Sequence, residues 1–143
     1  MRYLLDTNVL SEFKRSRPDP LAVDWIEAAS EESLFISVLT LGELRQGAEQ
    51  LPAGQRKREL DWWLKDELPS RFEGRVLEVT TEIAEVWGRL SAEVKRRGLS
   101  IGVVDRYLAA TANFHTLTVV TRNTKDFQPL GVTLLNPWLL PES

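Results

Sequence analysis

Four carboxylates in this chain stand just after, or shortly beyond, apolar runs with the character of β-strands. Asp6 follows Tyr3-Leu4-Leu5, and Glu43 lies on a helical segment that begins after Leu34-Phe35-Ile36. Asp105 opens the helical run 103–114, and Asp126 follows Leu117-Thr118-Val119-Val120-Thr121. In an open α/β sheet the carboxyl ends of the strands gather at one edge, where ligands bind. Four acids delivered there form a pocket of concentrated negative charge. Such a pocket resists folding unless a hard cation, typically Mg²⁺ or Mn²⁺, neutralises it. The chain has no cysteine and one histidine, His115, which removes thiolate nucleophiles, thiolate zinc sites and paired-histidine motifs. Phosphodiester hydrolysis without those groups needs a bound divalent metal, which lowers the pKa of coordinated water and offsets phosphate charge.

Each acid also has a plainer role open to it. Asp6 in Asp6-Thr7-Asn8 can cap the helix that starts near Val9. Asp126 can be a turn acid, Glu43 a solvated helix residue, and Asp105 a first-turn acid favoured by the helix dipole. The surroundings of two of them leave room for a ligand. Thr40 and Gly47 lie on the face of Glu43, and Ala109 and Ala112 continue the face of Asp105. Individually the four signals are weak, and their shared placement strengthens them. Asn8 stands where a haloacid-dehalogenase-type phosphatase needs a second aspartate. No acidic pair of the response-regulator kind surrounds the first strand, and no Gly-rich phosphate loop is present.

The elements that must position these acids are short. Strand-like runs occupy 2–5, 34–37, 75–79, 118–121 and 132–135, bounded by turn or capping residues. Helical periodicity fills the gaps. A helix over 24–29 follows the break at Pro18-Asp19-Pro20, and one over 38–50 follows Ser37 as N-cap. Another over 83–94 carries Ile83, Trp87, Leu90 and Val94 on one face. The alternation predicts a largely parallel sheet covered by helices on both faces. The segment 55–68 adds adjacent tryptophans, Trp62 and Trp63, which cannot both point into one core. The second ring either lies over a neighbouring helix or anchors a protein-binding surface.

At 143 residues the chain reads as one domain, 1–143, able to bury about 70% of its extended surface. No apolar run reaches the length of a membrane span and there is no signal-peptide core, so a cytoplasmic location is expected. The net charge of −3 neither supports nor excludes a nucleic-acid substrate: without the four acids, 21 − 4 = 17 acids face 18 bases. Basic residues cluster at Lys14-Arg15 with Arg17, at Arg56-Lys57-Arg58 and at Lys95-Arg96-Arg97. Solvated helix ends are the ordinary explanation of any one of these clusters.

The chain resembles the PIN-domain proteins, specifically the VapC/FitB-like toxins of toxin–antitoxin pairs. The resemblance runs through Leu4-Leu5-Asp6-Thr7-Asn8, Ser37-Val38-Leu39-Thr40-Leu41-Gly42-Glu43-Leu44 and Asp105-Arg106-Tyr107-Leu108-Ala109-Ala110-Thr111-Ala112. It continues through Val120-Thr121-Arg122-Asn123-Thr124-Lys125-Asp126-Phe127 and Leu135-Asn136-Pro137-Trp138. It implies a three-layer α/β/α sandwich with a mainly parallel sheet and a Mg²⁺- or Mn²⁺-dependent ribonuclease. Asp6, Glu43, Asp105 and Asp126 would form the catalytic and metal-binding pocket, with Thr121 and Asn123 orienting a carboxylate or water. It further implies a cognate antitoxin that reaches the acidic site with a basic side chain, a homodimer, and operator DNA bound through the antitoxin. Two features depart from the motif. Arg106 stands where a small residue is usual; it can pair with Asp105, contact a substrate phosphate or point away across the helix. The approach Ile101-Gly102-Val103-Val104 lacks the frequent proline, a change expected to alter the loop and leave the pocket intact. The alternatives are a non-catalytic PIN module in a DNA-bound regulatory complex and, more weakly, a structure-specific DNA nuclease.

Overall fold

The computed structural model describes residues 1–139. Strand β1 (Tyr3–Leu5) lies at the centre of its sheet, and its two leucines show why. Successive side chains of a strand point to opposite faces. Leu4 packs with Leu108, Ala109, Val119 and Phe127 on one face, and Leu5 with Val9, Leu10, Ile36 and Leu44 on the other. Both leucines are fully buried, the pattern of a strand covered on both sides. The sheet adds β2 (Leu34–Ser37), β3 (Val76–Leu77), β4 (Thr118–Val120) and β5 (Leu134–Leu135) in the order β3-β2-β1-β4-β5. Every pairing is parallel, with Tyr3 opposite both Leu34 and Thr118.

The chain runs outward from β1 through β2 to β3, then crosses back to place β4 on the other side of β1. The point between β1 and β4 is therefore where the winding reverses, the usual crevice for ligands at a sheet's carboxyl edge. One face is covered by α1 (Thr7–Glu12), α2 (Pro20–Ala28), α3 (Val38–Glu49), α4 (Gln55–Trp62) and α5 (Leu68–Arg71). The other face is covered by α6 (Thr81–Arg96), α7 (Val103–His115) and α8 (Thr124–Phe127). The expected α/β/α sandwich is the observed one. No helix among the described residues is long and apolar enough to cross a membrane.

The boundaries differ from the sequence expectation where capping decides them. Helix α2 begins at Pro20 rather than at residue 24, because Asp19 accepts from the Leu21 and Ala22 N–H groups at 2.9 and 3.3 Å. Helix α6 extends to both sides of 83–94, with the Thr80 hydroxyl accepting from Ile83 N–H at 3.2 Å. The edge strands β3 and β5 are shorter than expected, two residues each. Trp63 is 8% exposed and belongs to the core, whereas Trp62 is 56% exposed. Between α4 and α5 the backbone widens into a π-helical turn over Trp63–Glu67.

Candidate active site

Asp6 immediately follows β1 and caps α1, so the capping and site roles fall on the same side chain. Its Oδ1 accepts from Thr7 N–H at 2.7 Å. Its Oδ2 accepts from the Thr121 hydroxyl at 2.8 Å and from Asn8 Nδ2 at 3.4 Å. Thr121 follows β4 and is fully buried, so these bonds tie the ends of the two strands at the winding reversal. Asp6 is itself only 6% exposed. Burial pushes its carboxyl up, the Thr121 and Thr7 bonds pull it down, and Glu43 and Asp126 push it up again.

Glu43 reaches the same edge from the second turn of α3, and its Oε1 accepts from the Thr7 hydroxyl. Asp105 lies in the first turn of α7. Its pKa is pushed up to about 6, first by burial and then by the charges of Asp6, Asp126 and Glu43. Asp126, exposed on α8, completes the set; its N–H donates to the Asn123 carbonyl at 3.1 Å. Four elements from both faces of the sheet thus deliver four carboxylates to one electrostatic neighbourhood. Of the small residues singled out beside them, Gly47 alone leaves open space, while Thr40, Ala109 and Ala112 are buried in packing. Ala109 and Ala112 are buried against the sheet, which lets α7 approach it. Gly47 and Glu43 line the same groove, with open space where a Cβ would stand.

Thr121 orients Asp6 as expected. Asn123 contributes differently: its backbone N–H donates to the Thr121 hydroxyl at 3.0 Å. Two site residues were not anticipated. Thr7 holds Glu43, and Asn8 donates to both Asp6 and Thr121 while accepting from Arg122 N–H at 3.3 Å. Their signal was available, since both are short polar residues in the first turn of the helix that Asp6 caps. Of the three dispositions open to Arg106, the side chain points across the helix. Its Nη1 donates to Ser91 Oγ at 2.9 Å and its guanidinium lies 5.0 Å from the Trp87 ring centre. Arg106 therefore does not pair with Asp105. The loop without proline leaves the pocket intact, since α7 still delivers Asp105 to the other acids. His115 ends α7 ten residues beyond Asp105, about 15 Å along the axis, and plays no part in the site.

The donor set suits a hard divalent cation, being all carboxylate. As the side chains stand, no group of three or more acids or histidines among the described residues is placed to hold a metal ion.

A parallel α/β/α sandwich with an all-carboxylate site at the β1/β4 reversal is the architecture of the PIN domain, which matches residues 3–131. The chain belongs to that family, among its VapC/FitB-like toxins. It is 38% identical to the VapC ribonuclease Y4jK of Sinorhizobium fredii, covering 94% of this chain and 96% of that one. It is 37% identical to toxin FitB of Neisseria gonorrhoeae, covering 94% and 97%. The structure of FitAB bound to the IR36 DNA fragment superposes with a TM-score of 0.92 at 34% identity, covering 98% of each chain.

Proposed function

We propose that this chain is a Mg²⁺- or Mn²⁺-dependent endoribonuclease toxin held inactive by a cognate antitoxin. The observation that carries the proposal is the convergence of Asp6, Glu43, Asp105 and Asp126, expressed in the elevated Asp105 pKa of about 6. These four side chains would hold the metal. When bound, it supplies a lowered water pKa and neutralises charge on the attacked phosphate. Thr121, Asn8 and the Thr7 N–H fix Asp6 in one orientation, and the Thr7 hydroxyl does the same for Glu43. Either Asp105 or Glu43 would help deprotonate the attacking water.

The antitoxin has a plausible seat. A groove of about 140 Å³ between α1, α3 and α4 is lined by Leu44, Leu60, Trp63 and Leu64 and ends at Thr7 and Glu43. A partner segment lying in it brings a basic side chain to the acids and blocks RNA. The toxin–antitoxin pair would act on operator DNA through the antitoxin, and the toxin would form a homodimer. The non-catalytic alternative rested on Arg106 neutralising Asp105, and Arg106 is engaged with Ser91 and Trp87 instead.

Asp6→Asn tests the proposal directly. Asparagine keeps the helix cap while placing an N–H₂ donor where Oδ2 accepts from Thr121 and Asn8, so the variant should stay folded and lose RNA cutting. Undiminished cutting by the purified variant removes Asp6 from the mechanism.

A further inference from the structure

Four acids explain how the site holds a cation and leave unanswered how it holds a polyanion. An RNA strand is repelled by a carboxylate pocket wherever a metal does not intervene, so nearby cations must supply the attraction. A cleft of about 490 Å³ opens where the end of α6 meets the start of α7. Ser91, Lys95, Ser100 and Arg106 supply its polar lining, and no carboxylate lines it.

Arg106 is braced in this cleft. Its Nη1 donates to Ser91 Oγ at 2.9 Å, its Nε donates to the Gly102 carbonyl at 3.4 Å, and Trp87 lies against its guanidinium. Guanidinium carries five N–H donors in a rigid fork. Two have acceptors here, and three remain for a ligand among the described residues. Lys95 is exposed and has no carboxylate within ion-pairing distance among the described residues, unlike its neighbour Arg96, which pairs with Glu93 at 2.7 Å. Arg97 donates one N–H to the Pro129 carbonyl at 2.7 Å. Within the basic run 95–97, Lys95 is the cation that lines the cleft.

We propose that the cleft formed by Ser91, Lys95, Ser100 and Arg106 is a phosphate subsite that holds the RNA backbone along the α6–α7 flank of the molecule. A preorganised guanidinium fork, a mobile ammonium and two hydroxyls are a donor set suited to a phosphodiester. The assignment rests on the ribonuclease function and deepens it by naming a contact for the substrate backbone.

The test is RNA binding by the Asp6→Asn chain, followed by fluorescence anisotropy across a salt series in Mg²⁺. Lys95→Ala and Arg106→Gln, added singly, should each lower the slope of log affinity against log salt by about 0.7, the share of one single-strand phosphate contact. The double change should weaken binding on the order of tenfold. Arg17→Ala, an exposed cation beyond the far end of α1, should leave the slope unchanged. Because Lys95 is exposed, its variant keeps the test valid even where Arg106→Gln loosens the α6–α7 packing. Unchanged slope and affinity in the double variant overturn the subsite. So does a loss confined to antitoxin binding, which would assign the cleft to an acidic protein segment. Cutting by the parent chain is read separately. A fall in slope with no cutting keeps the subsite and removes the nuclease, whereas cutting with unchanged slopes does the reverse.

Discussion

Thr121 carries more of the site than any single acid. Its hydroxyl donates to Asp6 and accepts from Asn123 N–H and Asn8 Nδ2 in a fully buried position. Removing it strands several polar groups, each worth about 1–3 kcal/mol when left unsatisfied. Thr121→Val should therefore lower stability by about 1–3 kcal/mol in urea unfolding and slow cutting at least tenfold, with Thr121→Ser recovering both. Equal loss in the serine variant would assign the effect to packing. Asp105 sets a pH dependence whose sign is fixed. Its folded pKa of about 6 exceeds its ordinary value of 3.8, so the folded state binds more protons between those values. Its contribution to stability is then most favourable at low pH and falls as pH rises through that window. Without metal, the thermal midpoint difference between Asp105→Asn and the parent should widen in the variant's favour from about pH 4 to pH 6. Metal affinity should weaken over the same interval as pH falls, since protons compete for the carboxylate; a pH-independent difference in both would contradict the assignment. Asp6, Glu43 and Asp126 were legible because each follows a strand signal, whereas Asp105 follows α6 and was legible as the acid that opens a helix. Thr7 and Asn8 were visible only as short polar residues in the first turn of α1, because the groups they bond stand across the sheet edge. Glu12 shows the converse: it is buried, accepting Asp19 N–H at 2.8 Å, yet nothing in its sequence setting separates it from a solvated acid.

The strands announced themselves through apolar runs, and the parallel sheet through their alternation with helices. What escaped was decided by contacts distant in sequence. The edge strands β3 and β5 are each trimmed to two paired residues, since a strand is only as long as its neighbour's pairing allows. The π-turn over Trp63–Glu67 is a second case. It widens the helix where Trp63, Leu64 and Leu68 are all buried, a pattern that reads as ordinary helix from the sequence. The adjacent tryptophans consequently divide their work. Trp63→Ala should cost about 3–5 kcal/mol in denaturant unfolding, the range for a buried aromatic. Trp62→Ala should stay within about 0.5 kcal/mol, as exposed substitutions do. If Trp62 belongs to the antitoxin surface, the same variant should weaken antitoxin binding at least tenfold by calorimetry, the loss expected of an aromatic anchor. Unchanged antitoxin affinity would place that surface elsewhere on the molecule.

Seen whole, the molecule separates its charges. Acids from α1's cap, α3, α7 and α8 meet at the carboxyl edge of the sheet, while Lys95 and Arg106 line a cleft on one flank and Lys14 and Arg56 line a groove on the other. A net charge of −3 conceals this division, which is why total charge could not decide for or against RNA. If the proposed subsite and antitoxin groove hold, substrate and antitoxin would meet the molecule on different flanks, and inhibition would need no change in the fold. The most direct test of the account is cutting of a mixed pool of structured cellular RNAs by the purified chain, with Mg²⁺, with Mn²⁺ and with chelator, beside Asp105→Asn. Discrete cuts that require metal and disappear in the variant are the predicted result. No cutting in any condition by folded, antitoxin-free protein, or cuts that survive Asp105→Asn or chelation, would contradict it.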